Sequence, residues 1–327
     1  MVIIRTPLRI TFFGGGTDYP FWFSKNSGIA INATINKFSY VSLKELPPFH
    51  PYKYLIRYYL REEEKKISDI KHPVVRGLLG KFNYDQGLDL VHHADLPART
   101  GLGSSSVFTV GLLHALYSFR GTLITKERLA SEAIHFEQNV IKEAVGSQDQ
   151  ISASYGGFNV INFRENGTFS VKPAILKKDN LKIIEDNLFL CYTGLARNAA
   201  DIAADQIRNK NNNVVTLNEI SEIARQGEKL FSSPRVNIKE LGSLLDYQWQ
   251  LKKNLSTSVS NDVVDKIYSI GMKNGAYGGK LLGAGGGGFV LFLVKRELQE
   301  DLRKKLGSFL HVPIKFESRG SELIYMD

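Results

Sequence analysis

The sequence contains little cysteine and lacks any apolar run long enough to cross a membrane. Its single cysteine, Cys191, lies in an apolar run, so no intrachain disulfide can form, and we expect a buried thiol in a strand of a cytosolic protein. The longest apolar run near the end, 289–294, is far shorter than the roughly 20 residues of a spanning helix. Residues 1–13 carry Arg5 and Arg9 and lack a signal-peptide pattern. We therefore expect a soluble cytoplasmic protein.

Long blocks of basic residues are also missing, although the chain is strongly positive. Its 327 residues include 42 Lys and Arg against 33 Asp and Glu, a formal net charge of +9. Such a charge favours an anionic partner, for example a phosphorylated metabolite, a nucleotide or a nucleic acid. The basic residues are not interleaved with aromatic ones in a repeat, which favours small anions over nucleic acid. We expect neither a nucleic-acid partner nor a membrane partner.

The standard nucleotide-binding signatures are absent as well. The chain has no G-x-x-x-x-G-K-[ST] loop, and it lacks the H-R-D and D-F-G elements of protein kinases. Residues 283–288 match G-x-G-x-x-G, but they precede a predicted strand. A dinucleotide fingerprint follows a strand and opens a helix, so this match does not indicate a Rossmann site.

What the chain does have is a glycine- and serine-rich loop between a strand-like run and an apolar segment. Glycines let the backbone approach a ligand, and the first N–H groups of a helix have no partner within it. These donors and the helix dipole suit phosphate, and serine hydroxyls can reach a Mg²⁺ that accompanies a nucleotide. A serine N-cap on a buried helix is the alternative. The loop comprises Pro97, Ala98, Arg99, Thr100, Gly101, Leu102, Gly103, Ser104, Ser105 and Ser106.

Further candidate residues lie near other glycines. Residues 14–16 are all glycine, and Thr17 and Asp18 follow at once, which favours a ligand-facing loop over a surface turn. Glu137 and Asp149 fall on separate predicted elements, and paired carboxylates near a phosphate loop suit metal-assisted phosphoryl transfer.

Each of the charged candidates also has a simpler explanation. Taken alone, Glu137 could be a charge on a helix surface, and Asp149 could be an N-cap. Arg197 follows a predicted strand and could bind a phosphate or carboxylate, or could be a surface arginine.

The apolar pattern predicts a mixed α and β chain, and its length suggests two domains. The predicted strands are a strand over 2–13, two strands over 28–43, and single strands over 88–95, 158–163, 188–192, 289–294 and 313–317. The predicted helices cover 55–66, 73–81, 107–118, 125–142, 216–231, 238–254, 261–274 and 297–306.

Three stretches resemble, in the same order, the three motifs of the GHMP kinases (galactokinase, homoserine, mevalonate and phosphomevalonate kinases). They are residues 6–19, 97–106 and 280–288, with a Gly-x-x-Asp-Gln element at 146–150. The resemblance implies an α+β fold of two domains, which we expect at 1–187 and 188–327, with the active site in the cleft between them. It also implies an enzyme that uses ATP and Mg²⁺ to phosphorylate an alcohol group.

The resemblance further implies roles for individual residues. Asp149 is expected to be the catalytic base, and Arg9 to steady developing charge or the base itself. Ser104 and Glu137 are expected to hold Mg²⁺. The other expected site residues are Pro97, Gly101, Leu102, Gly103, Ser104, Ser105 and Ser106 around the ATP phosphates, Gly15, Gly16, Thr17, Asp18 and Arg197 at the sugar, and Gly285 and Gly286 as supports of the phosphate loop.

Departures from the family pattern narrow the expected substrate. Galactokinases carry Gly-Glu-His-Thr-Asp where this chain has three glycines before Thr17 and Asp18, which opens space and bares N–H groups for a bulkier or phosphorylated sugar. With residues 101–106, 192–194 and Arg197, the chain looks most like family members that phosphorylate D-glycero-D-manno-heptose 7-phosphate at the anomeric hydroxyl. Their 1,7-bisphosphate product supplies activated heptose for surface polysaccharide.

Other functions stay open at this stage. The alternatives are an anomeric kinase for fucose or another neutral sugar, a non-catalytic sugar and nucleotide sensor on the same fold, and a basic nucleic-acid-binding protein. The expected partners are a phosphorylated sugar and ATP, and the sequence leaves a homodimer open.

Overall fold

The computed structural model describes residues 1–196, 199–208 and 213–327, so Arg197 lies outside the described residues. Its strands are β1 (Val2–Gly14), β2 (Gly28–Glu45), β3 (Tyr54–Arg57), β4 (Arg61–Glu64), β5 (Leu88–Ala94), β6 (Phe158–Phe163), β7 (Phe169–Pro173), β8 (Leu188–Tyr192), β9 (Ala276–Leu281), β10 (Phe289–Val294) and β11 (Glu322–Met326). Its helices are α1 (Pro20–Asn26), α2 (Pro73–Lys81), α3 (Ser104–Phe119), α4 (Lys126–His135), α5 (Gln148–Tyr155), α6 (Lys178–Asn187), α7 (Ala199–Arg208), α8 (Val214–Phe231), α9 (Ile238–Lys253), α10 (Asp262–Lys273) and α11 (Gln299–Leu306).

The larger sheet is built around β1 and β2. Its strand order is β11-β1-β2-β5-β3-β4, and β6 and β7 extend it from β2. β2 is a single strand of 18 residues, so the prediction of two strands over 28–43 was wrong. Its first part pairs with β6 and its last part with β5, while β1 runs along its other side. The pairing of β1 with β2 shifts between Pro7 and Arg9, which accommodates a proline that has no N–H to donate.

Two predicted elements near this sheet were also wrong. Residues 55–66 form β3 and β4, because Leu55 and Ile56 are buried in the sheet and the charged run beyond them alternates between inside and outside. Glu62 points inward and accepts hydrogen bonds from the Tyr58 hydroxyl (2.8 Å) and the Lys71 N–H (2.5 Å). The final strand is β11, which pairs with β1, whereas the predicted strand at 313–317 contributes an isolated bridge at Phe316.

Helix α3 lies against β1 and β2 and is buried on nearly every side. This confirms the prediction from the apolar run at 107–118. The helix predicted over 125–142 is shorter than expected, because α4 ends at His135 and passes into a π-helical turn at Phe136–Val140. Such a wide turn is frequent at functional sites.

The smaller sheet has the order β8-β10-β9, and every residue of β10 is buried. Helices α9 and α10 pack against it. Cys191 is buried in β8, as predicted, and burial raises the pKa of its thiol to about 12. Among the described residues, no helix is both long enough and apolar enough to cross a membrane.

Candidate active site

The glycine- and serine-rich loop opens α3 without a side-chain cap. Gly101 and Gly103 both have left-handed backbone angles, with φ of +80° and +79°, which favour glycine. Gly103 is the N-cap residue and no side chain bonds to the helix start, so the serine N-cap alternative was wrong. The hydroxyl of Ser104 accepts the Arg99 N–H instead (3.2 Å). The N–H groups of the first turn of α3 therefore remain suited to bind an anion.

Arg9 and Asp149 form a buried ion pair beside this loop. The Arg9 Nε and Nη2 atoms donate to the two Asp149 carboxylate oxygens at 2.7 and 2.8 Å, the bidentate geometry of a strong charge-assisted pair. Arg9 is 3% exposed, whereas 22% of the Asp149 side chain is exposed. The Arg9 Nη1 atom donates to the Gly101 carbonyl (2.7 Å). Arg9 therefore fixes a partly open carboxylate against the loop.

The carboxylate of Asp149 lies close against Gly103 of the loop. A Cβ at Gly103 would lie 3.1 Å from Asp149 Oδ2 and 3.5 Å from Arg9 Nε. Asp149 is the second residue of α5, after Gln148, and Ser147 occupies the N-cap position, so the N-cap alternative was wrong. The carboxylate of Asp149 thus lies in direct reach of the start of α3.

Glu137 lies in the π-helical turn and is fully buried, so the surface-charge alternative was also wrong. Its Oε2 atom accepts hydrogen bonds from the Ser106 hydroxyl (2.8 Å) and from the Gln150 amide. Its Oε1 atom is buried and accepts no hydrogen bond of good geometry among the described residues, because the nearby Thr109 hydroxyl donates to the Ser105 carbonyl. Burial raises the pKa of Glu137 to about 7.

An unpartnered buried carboxylate oxygen is costly, and a cation would supply the missing partner. The oxygen atoms around Glu137 therefore fit a hard cation such as Mg²⁺. The Ser106 hydroxyl of α3 lies beside the carboxylate. The sequence predicted Ser106 at the ATP phosphates and placed Gln150 in the Gly-x-x-Asp-Gln element, but the hydrogen bonds of these two residues to Glu137 were not predicted.

The three glycines after β1 form a left-handed turn, with φ of +79°, +83° and +83° at Gly14, Gly15 and Gly16. A Cβ at Gly14 would lie 2.2 Å from the Ile29 carbonyl oxygen, and a Cβ at Gly16 would lie 2.9 Å from Leu217. Gly15 has more space, since its nearest neighbour would be the Gln148 amide at 3.8 Å. The close packing favours a fixed loop over a flexible surface turn.

Thr17 and Asp18 are both buried, and each is bonded within the protein. The Thr17 hydroxyl donates to the Ile29 carbonyl (2.8 Å), which favours a structural role, so its contact with substrate stays a prediction. The Asp18 carboxylate accepts the N–H groups of Gly16 (2.9 Å) and Gln148 (3.4 Å). Asp18 therefore connects the triple-glycine turn to the start of α5, where its partner Gln148 directly precedes Asp149.

Burial, and secondarily the charge of Asp149, raises the pKa of Asp18 to about 6. The unfolded chain loses this proton near pH 4, so folding becomes less favourable as pH rises from 4 to 6. The stability of Asp18→Asn relative to the wild type should therefore increase with pH across this range, by roughly 3 kcal/mol in total once the pH exceeds 6. Urea midpoints of both proteins at pH 3.5, 5 and 7 measure the effect. If the stability of Asp18→Asn and that of the wild type changed in parallel with pH, the raised pKa of the buried Asp18 carboxyl would be contradicted. The control variant Asp301→Asn changes an exposed side chain, and its stability should run parallel to that of the wild type.

The third glycine-rich stretch packs directly on the phosphate-loop candidate. A Cβ at Gly283 would lie 2.4 Å from the Gly101 Cα, and a Cβ at Gly288 would lie 2.2 Å from the Thr100 carbonyl oxygen. Both glycines lie in the third resembling stretch, but neither was predicted as a site residue. Gly285 and Gly286 instead contact Val259, whose carbonyl accepts the Gly286 N–H (2.9 Å). The residues of this stretch that contact the loop directly are Gly283 and Gly288.

Polar side chains of the C-terminal half reach the same centre and were missed. Gln248 on α9 donates to the Gly14 carbonyl (2.7 Å), and Lys280 on β9 donates to the Phe12 carbonyl (3.0 Å). Lys252, one turn after Gln248, donates to the carbonyls of Leu281 (3.3 Å) and Gly283. None of these lies in a local pattern that marks a site, except that Lys280 begins the third resembling stretch.

The remaining predicted residues are placed as follows. Pro97, Leu102 and Ser105 all lie in the loop: the Pro97 carbonyl accepts the Thr100 hydroxyl (2.9 Å), the Leu102 carbonyl accepts the Arg9 N–H (3.2 Å), and the Ser105 carbonyl accepts the Thr109 hydroxyl (3.3 Å). The structure thus brings together Arg9, Asp149, the loop and Glu137, and leaves Arg197 outside the described residues.

Comparison with known proteins gives the same family for both halves. The model of the GHMP kinases N terminal domain matches residues 70–157, and that of the GHMP kinases C terminal domain matches residues 234–312. The chain is 30% identical, over 93% of each chain, to D-glycero-alpha-D-manno-heptose 7-phosphate kinase of Campylobacter jejuni. It is 24% identical to the bifunctional fucokinase/GDP-fucose pyrophosphorylase of Arabidopsis thaliana, over 95% of this chain and 32% of that protein.

The fold comparison agrees. The crystal structure of a D-glycero-D-manno-heptose 1-phosphate kinase from Bacteroides thetaiotaomicron superposes with a TM-score of 0.81 at 21% identity, covering all of both chains. These matches account for an α+β fold in which residues from both halves meet at one glycine-lined centre. The chain belongs to the GHMP kinase family.

Proposed function

We propose that this protein is an ATP-dependent sugar kinase that phosphorylates the anomeric hydroxyl of D-glycero-D-manno-heptose 7-phosphate to give the 1,7-bisphosphate. The observation that carries the proposal is the Asp149 carboxylate, which Arg9 holds with two hydrogen bonds against Gly103 at the start of α3. A base, a guanidinium and a helix N-terminus at one point are the groups that phosphoryl transfer to a hydroxyl requires.

In the proposed reaction, the first turn of α3 and its loop bind the ATP phosphates through backbone N–H groups. Asp149 accepts the proton of the sugar hydroxyl while the hydroxyl oxygen forms a bond to the γ-phosphorus of ATP. The bond between that phosphorus and the oxygen of ADP breaks, and ADP leaves. Arg9 keeps the Asp149 carboxylate in place, because its third donor is anchored on the Gly101 carbonyl. Positioning and charge stabilisation therefore supply most of the catalysis.

The proposal includes Mg²⁺ held by Glu137 and Ser104, and the unpartnered Oε1 atom of Glu137 supports it. When bound, the ion would neutralise charge on the phosphates. Glu137 must be ionised to bind Mg²⁺. Burial has raised the pKa of its carboxyl, and a neighbouring cation would favour the ionised form again. Ser106 would orient the carboxylate through its 2.8 Å hydrogen bond.

The organisation of the chain is part of the same proposal. We propose a boundary between 187 and 188, which is supported by the start of β8 at Leu188 and by the separate smaller sheet. The last strand, β11, nevertheless pairs with β1 in the larger sheet, so the C-terminal residues return to the N-terminal half. We also propose that the enzyme acts in the cytoplasm, where ATP is supplied, and leave a homodimer as an arrangement to test by its mass in solution.

ADP release with Mg²⁺-ATP and a sugar panel tests the substrate. The panel contains heptose 7-phosphate, mannose, fucose, galactose and mevalonate. We expect kcat/KM for heptose 7-phosphate to exceed that for each neutral sugar by about 100-fold, the effect of one or two charge-assisted hydrogen bonds to the distal phosphate. The Asp149→Asn protein, purified in parallel, shows whether a contaminating kinase contributes.

A fucose kinase is the second candidate, and the similarity to the Arabidopsis fucokinase over 95% of this chain favours it. Equal or better turnover of fucose would replace heptose 7-phosphate as the substrate and leave the chemistry unchanged. Binding of ATP without turnover of any sugar would instead indicate a sensor that lacks catalysis.

A further inference from the structure

Lys252 brings a charged group from the C-terminal half to the catalytic centre. It lies near the end of α9, and its ammonium group donates to the carbonyls of Leu281 (3.3 Å) and Gly283. Gln248, four residues earlier on the same face, donates to the Gly14 carbonyl (2.7 Å). One face of α9 therefore contacts both the first and the third glycine-rich stretches.

The charges around Lys252 do not cancel. Arg9 is paired with Asp149, and the Asp18 carboxylate accepts backbone N–H groups of Gly16 and Gln148. Among the described residues, Lys252 has no carboxylate oxygen within 4 Å, and its partners are neutral carbonyls. Burying an ammonium without a counter-charge is unfavourable, so an anion that enters the site would gain more from Lys252 than from an exposed lysine.

The titration of Lys252 agrees with this picture. Burial and, to a smaller extent, the charge of Arg9 lower the pKa of Lys252 to about 7, against the opposing charge of Asp18. Lys280 faces the same region from β9, and burial and the charge of Lys252 lower the pKa of Lys280 as well. Three basic side chains, those of Arg9, Lys252 and Lys280, thus oppose one another's positive charge, and a bound anion would raise the pKa of both lysines.

The contacts of Lys252 locate it on the phosphate side of the centre. Its partner Gly283 packs on Gly101, and the Gly101 carbonyl accepts a hydrogen bond from Arg9, the residue that holds Asp149. The distal end of a bound sugar would lie away from the base, whereas the phosphoryl group must pass between the base and the loop. Lys252 is therefore connected to Arg9 and to the loop through the contact between Gly283 and Gly101.

We propose that Lys252 is a further catalytic residue, which binds the oxygens of the phosphoryl group while it passes from ATP to the sugar. Its ammonium would exchange a neutral carbonyl for a phosphoryl oxygen. The transferring group spreads charge over three oxygens, so a cation aimed at it stabilises the transition state more than bound ATP. This inference rests on the proposed phosphoryl transfer but not on which sugar accepts the group.

Lys252→Met tests the inference, with Lys253→Met as the matched control. Lys253 is the next residue, and its ammonium lies over the Trp249 ring, 5.9 Å from the centroid. We expect Lys252→Met to lower kcat by about 100- to 1000-fold, the usual effect of removing one transition-state donor. KM for ATP should change less than about twofold, because ground-state binding is retained. Lys253→Met should behave as the wild type, and Lys252→Arg should restore part of kcat.

A binding experiment separates catalysis from structural support. Calorimetry measures the affinity for ADP alone and for ADP with aluminium fluoride, a mimic of the transferring group, in the presence of the panel sugar that the wild type prefers. Lys252→Met should weaken the aluminium fluoride complex by about the same factor as kcat and leave ADP affinity unchanged. Equal loss of both affinities, with a lower unfolding temperature, would show that Lys252 only supports the third glycine-rich stretch and would overturn the proposal.

The wild-type enzyme's activity on the substrate panel shows whether the proposed function or the role of Lys252 is refuted. Preference of the wild type for fucose would refute heptose 7-phosphate as the substrate and leave the Lys252 experiment intact. Failure of the wild type to phosphorylate any sugar would refute both proposals. A wild-type kcat for Lys252→Met would refute the role of Lys252 alone.

Discussion

Replacement of Asp149 by asparagine is expected to lower kcat by about 1000-fold, the middle of the range for loss of a general base. Asparagine keeps the shape of the side chain but cannot accept the proton of the attacking hydroxyl. ATP affinity should stay near the wild-type value, because the N–H groups at the start of α3 are untouched. Initial rates of ADP release and calorimetric ATP binding measure the two quantities.

The same variant should also be less stable, since the guanidinium of Arg9 is buried and would lose its counter-charge. Thermal unfolding must therefore be recorded, and activity measured well below the midpoint. Asp301→Asn, on an exposed face of α11, is the control and should match the wild type in both activity and stability. If Asp149→Asn turned over close to the wild-type rate, Asp149 would not be the catalytic base, and the proposed active site would be refuted.

The second large effect is expected at Gly283, where the halves of the protein meet. Gly283 and Gly121 both have left-handed backbones, with φ of +72° and +66°, so replacing either with alanine introduces similar strain. A Cβ at Gly283 would lie 2.4 Å from the Gly101 Cα, whereas a Cβ at Gly121 has no neighbour within 4 Å. The pair therefore separates a clash with the phosphate loop from backbone strain.

We expect Gly283→Ala to cost about 1–3 kcal/mol more stability than Gly121→Ala, the usual penalty of overpacking. Because the displaced atoms belong to the phosphate loop, ATP affinity should fall by about 10- to 100-fold in Gly283→Ala. Gly121→Ala should bind ATP as the wild type does. Urea unfolding and ATP calorimetry provide the comparison, and equal behaviour of the two variants would show that the contact between the glycines does not shape the ATP site.

Much of this site could be predicted from the sequence because its parts are marked locally. Glycines at 101 and 103 are needed where the backbone turns left-handed, and such needs are visible in a short stretch of chain. The position of Asp149 after Gly146 was likewise visible. A Cβ at Gly146 would lie 1.9 Å from Asp18 Oδ2, so this glycine is required by the Asp18 carboxylate.

The parts that could not be predicted depend on contacts between distant residues. Gln248 and Lys252 lie in a helix with an ordinary amphipathic pattern, and their partners at Gly14 and Gly283 are 234 and 31 residues away along the chain. The segment at 55–66 looked helical because its charges are dense. Its strand form depends on β5 beside it and on the Lys71 N–H that satisfies Glu62. Tertiary partners override local preference in such segments.

The contact between Gly101 and Gly283 also restricts how the two halves can move. Where two backbones touch without side chains between them, no side chain can change its rotamer to allow one backbone to slide past the other. The contact of Gly288 with Thr100 is a second contact of this kind. A displacement of either stretch is therefore passed directly to the other. Because the Lys252 ammonium is bonded to the Gly283 carbonyl, a shift of residues 100–101 would also move the partner of Lys252.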